Sequence, residues 1–236
     1  MNKVLCIAFK ELKVTFQSPV AYILLCLALT VFNIFFFIII DENREATLRD
    51  VFAVMEFMLV FLIPLITMKS IAHENEAGTM EFLKTTPTTD VAIILGKYLG
   101  GLMFFSILIA LTSPYYFIIE FFGAPDRAAI FAGYTGIWLE GAFFVAVGIM
   151  TSSFTKSQVL AAMSSYILIL FIYFSLSFTK FISGPFGEIV KYCNVMSHSQ
   201  NFFSGVIATS DLTYFLSGIF LCLTIARLGI EDKLWR

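Results

Sequence analysis

Charge is scarce in this chain: Asp, Glu, Lys and Arg make up 14% of its 236 residues, and the net charge is -2. Soluble domains carry about 25% charged residues, so a water-facing surface of ordinary composition is excluded. Cysteine is thin as well, limited to Cys6, Cys26, Cys193 and Cys222. Cys26 and Cys222 fall inside apolar runs and only Cys193 lies in a predicted exterior loop, so no disulfide framework is implied. There are two histidines. His73-Glu74 begins like a zinc-protease helix, but Ala77 stands where the second ligand belongs, and His198 is predicted on the opposite side of the membrane. No Gly-x-Ser-x-Gly elbow occurs. A phosphate-cradling Walker A loop is missing too: Gly96-Lys97 runs into Tyr98, and Val91 occupies the first glycine position. The sequence thus offers no catalytic, cofactor-binding or metal-binding set, and nothing points to a nucleic-acid partner. If ATP drives this protein, the ATPase is a separate chain.

What is abundant is apolar side chain. Hydrophobic residues make up 59% of the chain, 28 of them phenylalanine, and the mean hydropathy is +0.89. The lipid bilayer is the solvent such a surface requires. A span needs about 20 residues to cross roughly 30 Å of hydrocarbon. Six apolar segments answer to this, at residues 20–40, 51–68, 92–119, 128–150, 159–182 and 212–230. The second is a little short and holds Glu56 and Pro64. The third is long, with Gly100-Gly101 near its start and Pro114 near its end, which predicts a kink.

Ahead of the first span, residues 2–17 read as an amphipathic helix. Leu5, Ala8, Phe9, Leu12 and Phe16 recur at three- and four-residue steps, with Lys3, Lys10, Glu11 and Lys13 elsewhere. Such a helix suits the interface plane, and Ser18-Pro19 ends it. A cleavable signal does not fit this mixed start. The expected fold is therefore one all-α membrane domain over residues 1–236.

Loop charge sets a direction. With the N-terminus inside, ten of the 15 basic residues fall on the cytoplasmic side, among them Lys69, Lys84, Lys97 and Lys156. Five fall outside: Arg44, Arg49, Arg127, Lys180 and Lys191. The positive-inside rule then puts both termini in the cytoplasm. Two loops are long, a cytoplasmic one at 69–91 and an exterior one at 183–211. Trp235, beside Lys233 and Arg236, reads as an interface anchor.

The cytoplasmic loop carries the most information. Gly78 permits a turn, Thr79 can cap a short helix over 79–84, and Met80, Phe82 and Leu83 supply apolar contacts before Thr86-Pro87 ends it. Such a helix suits a groove on a partner, or it simply links two spans. Inside the spans, Glu140 lies near the middle of the fourth. A charge at the bilayer centre costs about 2.5–3.5 kcal/mol on insertion scales, so Glu140 must face the bundle interior, a wet cavity or a partner. A translocation or proton-linked role and an interhelical hydrogen bond beside Gly136 and Gly141 both remain open. Glu56 is expected nearer the outer surface, in reach of water. The small residues of Gly133-x-x-Gly136, Gly141, Gly148 and Ala161-Ala162 mark close helix approach.

Several stretches, in order, resemble the ABC-2-type transporter permeases, most closely their gliding-motility GldF-like group. They are Lys10-Glu11-Leu12 with Ser18-Pro19-Val20-Ala21-Tyr22; Pro64-Leu65-Ile66-Thr67-Met68 through Glu74 to Gly78-Thr79-Met80-Glu81-Phe82-Leu83; Gly148 to Gln158; and Ser197 through Asn201-Phe202, Gly205 and Asp211 to Trp235-Arg236. The resemblance covers essentially the whole chain, and the Gly-Thr-x-Glu stretch is its most specific part. It implies six transmembrane helices, an elbow helix at 2–17, and a coupling helix on the 69–91 loop seated in a cytoplasmic ATPase. The implied coupling residues are Glu74, Gly78, Thr79, Met80, Glu81, Phe82 and Leu83. The implied assembly holds a second permease subunit and two ABC ATPase subunits, which bind the ATP and Mg, in the cell inner membrane. A membrane-anchored extracytoplasmic subunit is a further implied partner. Relatives often carry basic residues where this chain has Asn75 and Glu76. Against this ATP-driven exporter stand an ion- or proton-coupled secondary carrier using Glu140, a membrane-embedded enzyme, and a scaffold that moves an exterior partner.

Overall fold

The computed structural model describes residues 3–43, 47–79, 88–178, 188, 190 and 192–231. In chain order these form α1 (Lys3–Gln17), α2 (Pro19–Asn43), α3 (Arg49–Thr67), α4 (Ala72–Glu76), α5 (Asp90–Ala110) and α6 (Pro114–Phe122). There follow α7 (Arg127–Phe154), α8 (Gln158–Tyr173), α9 (Ser175–Phe178), α10 (Val195–Phe203) and α11 (Thr209–Glu231), with no strand among the described residues. The ends have local causes. Asp126 accepts from the Ala128 and Ala129 amides at the start of α7, and Thr89 accepts from Ala92 at the start of α5. Pro19 and Pro114 open α2 and α6, where a missing N–H costs nothing. The predicted kink in the third segment is the three-residue break between α5 and α6.

Among the described residues, five helical runs are long and apolar enough to cross a membrane, one for each expected span except the fifth. There α8 has 16 residues and the four-residue α9 follows it; positions 179–182 lie outside the described residues. The first and last spans face outward, with 22% and 28% of their apolar windows buried, whereas α7 is 83% buried and forms the axis of the bundle. Small residues let α7 take that place. A Cβ on Gly133 would meet the Phe52 ring of α3, one on Gly141 the Phe105 ring of α5, and one on Gly136 the Phe202 Cβ of α10 at 2.5 Å. The close approach read from these glycines is what they provide, each to a different neighbour.

Two regions differ from expectation. Helix α1 is present, but it lies along α5. Gly96 and Gly100 open one face of α5, where added Cβ atoms would sit 2.6 Å from Ile7 and 2.7 Å from Glu11. The α1 face turned inward is Ile7, Ala8, Glu11, Leu12 and Phe16, which includes three of the five residues of the predicted apolar stripe, while Leu5 and Phe9 stay exposed. The stretch read as an exterior loop at 183–211 contains α10, whose Val195, His198, Ser199, Phe202 and Phe203 are buried. It packs on α7, α3 and α8. Asn194 caps it, accepting from the Ser197 amide at 2.9 Å and donating to the Tyr173 carbonyl at 2.8 Å.

Candidate functional site

Helix α5 carries a lysine two turns into its apolar face. Lys97 is buried, with 1% of its side chain exposed. An ammonium has three hydrogens to donate, and three oxygens surround it, Glu11 Oε1 and the Ser70 carbonyl as hydrogen-bond acceptors and Glu74 Oε2 as an ion-pair partner outside hydrogen-bond geometry. Glu11 Oε1 of α1 lies at 3.0 Å, Glu74 Oε2 of α4 at 2.9 Å, and the Ser70 carbonyl at 2.6 Å. Lys10 stands 3.8 Å from Glu74 at the exposed rim, where an ion pair contributes little. A cavity of about 310 Å³ borders the cluster, polar at Lys10, Glu11 and Glu74 and apolar at Val14, Leu24 and Phe104.

The same loop is held from its other side by the end of α7, the start of α8 and the turn between them. Ser152 Oγ accepts from the Ile71 and Ala72 amides at 3.0 and 2.8 Å, serving the free N–H groups at the start of α4. Asn75 donates to the Thr155 carbonyl at 3.2 Å, and Gln158 Nε2 reaches Glu76 Oε2 and His73 Nδ1, each at 3.0 Å. Helix α4 closes in a Schellman turn. Gly78 takes φ 68°, its amide points to the Asn75 carbonyl, and the Thr79 amide donates to the Glu74 carbonyl at 3.0 Å. Thr79 therefore closes a helix that begins at Ala72; its described hydrogen bonds run backward, to Glu74. Of the predicted coupling residues, Glu74, Gly78 and Thr79 sit in this cluster. Met80, Glu81, Phe82 and Leu83 lie outside the described residues.

A second polar centre sits inside the bundle. Glu140 of α7 is fully buried and accepts from Ser199 Oγ of α10 at 3.0 Å. Glu56 was expected within reach of water. Instead it is 1% exposed, and its Oε1 has no hydrogen-bond partner among the described residues. The cause is α10, which covers the end of α3 that an exterior loop would have left open.

A family model described as "ABC-2 family transporter protein" matches residues 5–230. The chain belongs to the ABC-2 family of transporter proteins. Its members are transmembrane subunits and not ATPases, and the family implies partnership with ABC ATPase subunits in a membrane. This ABC-2 protein is accordingly a multi-pass membrane permease of an ABC transporter. No curated protein matches the sequence.

The sequence alone points to Glu74, Gly78, Glu56 and Glu140 of this permease, but not to the residues that contact them: Lys97, Glu11, Ser152 and Ser199. One signal was available. A lysine two turns inside an apolar segment must find a partner, and the nearest acids on the predicted cytoplasmic side include Glu11 and Glu74.

Proposed function

We propose that this permease is one transmembrane half of an ABC exporter and that the 69–91 loop is its coupling element, seated in a separate ATPase. The observation carrying this reading is the double attachment of the loop. Lys97 ties Glu74 to α1 and α5, while Ser152, Thr155 and Gln158 tie α4 to α7 and α8. A push on α4 from the cytoplasm thus reaches four helices without passing through a flexible hinge. In this reading two permease chains pair, two ATPase subunits bind ATP and Mg, and both termini lie in the cytoplasm of a cell inner membrane. Helix α1 is the elbow, and α8 with α9 makes a sixth, short span. Within the family we assign the chain to the gliding-motility GldF-like group on its Gly78–Leu83 stretch, with a membrane-anchored extracytoplasmic subunit as a further partner.

The test is co-purification with the neighbouring ATPase, with cross-linking from cysteines placed at 74–83. Cross-links to the ATPase are expected, and Glu81→Lys should weaken the association. A complex without contact at 74–83, or undiminished co-purification of the Glu81→Lys variant, removes the coupling assignment. An ion- or proton-coupled secondary carrier keeps one observation in its favour, the burial of Glu140 and Glu56, each with an Oε1 that has no hydrogen-bond partner among the described residues. Transport by this chain alone, driven by an ion gradient without ATP, would establish it.

A further inference from the structure

We propose that the cavity beside the Lys97 cluster is a binding site for an anionic glycerophospholipid, its phosphodiester at Lys10 and Lys69 and an acyl chain along Val14, Val20 and Leu24. Position is the first argument. Ser18 and Val20 stand where α1 gives way to the first span, Thr67 ends α3, and Lys97 lies two turns into α5. All four line the cavity, so it sits where three spans leave the hydrocarbon, at headgroup depth. Its volume of about 310 Å³ is at the lower end of the range for small-molecule pockets, so it admits part of a lipid and leaves the rest in the bilayer. Helix α2 provides the path between the two. Val20, Leu24 and Leu27 follow at four- and three-residue steps on one face; Val20 and Leu24 line the cavity, and Leu27 is exposed.

The lining is amphipathic, and so is its mouth. Val14 and Val20 are exposed there beside the exposed Lys10 and Lys69. A water-soluble anion would leave the valines and Leu24 unmatched, and a bare hydrocarbon would leave the lysines unmatched. A molecule with both parts meets both. The sign of the charge then selects among lipids. Three lysines and two glutamates line the cavity, which leaves one positive charge in excess. Lys97 is committed to Glu11, Glu74 and the Ser70 carbonyl. Lys10 is held only by the 3.8 Å pair at the rim, and Lys69 has no ion pair among the described residues. Both can turn to a phosphate, as basic residues between transmembrane helices do for anionic headgroups. Their apolar stems meanwhile lie on the hydrocarbon side. A zwitterionic headgroup brings no net charge to offset the excess; phosphatidylglycerol brings one negative charge.

A lipid held this way bridges α1, through Lys10, and the start of the 69–91 loop, through Lys69. It touches the loop assigned above to ATPase coupling, but binding needs no ATPase. The lipid site and the coupling assignment therefore fail in different experiments.

The test uses the full chain reconstituted in vesicles of equal phosphatidylglycerol, phosphatidylethanolamine and phosphatidylcholine, then extracted in mild detergent. Native mass spectrometry should find phosphatidylglycerol retained in preference to the other two. A lysine beside an anionic lipid contributes about a fivefold preference, so Lys10→Gln with Lys69→Gln should lower that ratio about tenfold or more. Leu24→Trp fills the apolar end without changing charge and should abolish retention. Phosphatidylglycerol with a diazirine in its acyl chain loses dinitrogen on illumination and inserts into a neighbouring C–H bond; it should mark the peptide holding residues 14–24. That labelling needs no variant, so it decides the matter even where a substitution unfolds the chain. Equal retention of the three lipids, undiminished retention in the lysine variant, or marking confined to peptides outside residues 14–24 overturns the proposal. Displacement of the lipid by free glycerol phosphate at equal concentration also overturns it, in favour of a site for a small soluble phosphate.

Discussion

Replacing Lys97 by methionine isolates what the ion cluster does. The side chain keeps its length and apolar stem and loses one charge and three donors. Removing one partner of a buried ion pair costs about 3–5 kcal/mol, because the other charge is left uncompensated. Here two carboxylates are left, but Glu11 and Glu74 retain 18% and 15% side-chain exposure, and water recovers part of the loss. The lower end, about 3 kcal/mol, is the expected cost. For a domain of this size one kcal/mol moves the midpoint by about 2–4 °C, so the variant should melt about 6–12 °C lower. The assay is thermal unfolding of the detergent-solubilised chain followed by size-exclusion fluorescence. Adding Glu11→Gln and Glu74→Gln to Lys97→Met should restore most of the loss, since an ion cluster replaced as a whole is close to neutral in stability. ATP-driven activity of the assembled transporter should not return with it, because the neutral side chains no longer bind α4 to α5. A single variant melting within about 1 °C of the parent, or a triple variant no better than the single, would refute the reasoning.

Ser152→Ala leaves the Ile71 and Ala72 amides without their acceptor and should cost about 1–3 kcal/mol; faster amide exchange at Ile71 and Ala72 reports the release of α4, and unchanged exchange counts against the contact. Gly100→Val puts a side chain against Glu11, whose Cβ lies 2.7 Å from the new Cβ, so α1 should lift from α5 and trypsin should cut faster at Lys10 and Lys13. Gly141→Val meets the Phe105 ring in the same way and should cost about 1–3 kcal/mol by overpacking, read as a lower melting temperature. Asn194→Ala removes the α10 cap and the bond to the Tyr173 carbonyl, at about 1–3 kcal/mol, and exchange protection should fall on α10 before it falls on α7.

The spans were legible because length and hydrophobicity alone define them. The first, second, fourth and sixth segments begin and end within a few residues of α2, α3, α7 and α11. The break before Pro114 was legible from proline chemistry. Helix α10 was not, because Asn194, Ser197, His198, Ser199 and Asn201 give its sequence the polarity of a loop. Its signal lay in spacing: Val195, Ser199 and Phe202 recur at helical steps and are the buried face. Missing α10 also misplaced Glu56, since depth along α3 says nothing about what covers it. The Lys97 cluster was hidden for a different reason. Its partners Glu11 and Glu74 are 86 and 23 positions away along the chain, and they meet only because Gly96 and Gly100 let α1 lie against α5.

The two polar centres share helices, and the packing between those helices divides the bundle. Glu140 and Ser152 stand on α7 about 18 Å apart, and Glu56 and Thr67 on α3 about 17 Å apart, at 1.5 Å per residue. Glycines join α3 to α7 at both ends: Phe52 fills the space over Gly133, and Thr67 the space over Gly148. Sliding one helix past the other would drive these side chains into backbone, so α3 and α7 move together, carrying α4 through Ser152 and α10 through Ser199. Helices α1 and α5 form the opposing unit, locked by Gly96 and Gly100. Between the units Gly141 of α7 also holds the Phe105 ring of α5, so the units can pivot about that contact but not slide, and the Lys97–Glu74 pair at the cytoplasmic end is the contact best suited to change, because an ion pair can break and re-form at a new offset. Force on the cytoplasmic loop is thus expected to work across that ion pair, and a shift of α7 would reach Glu140 through one continuous helix.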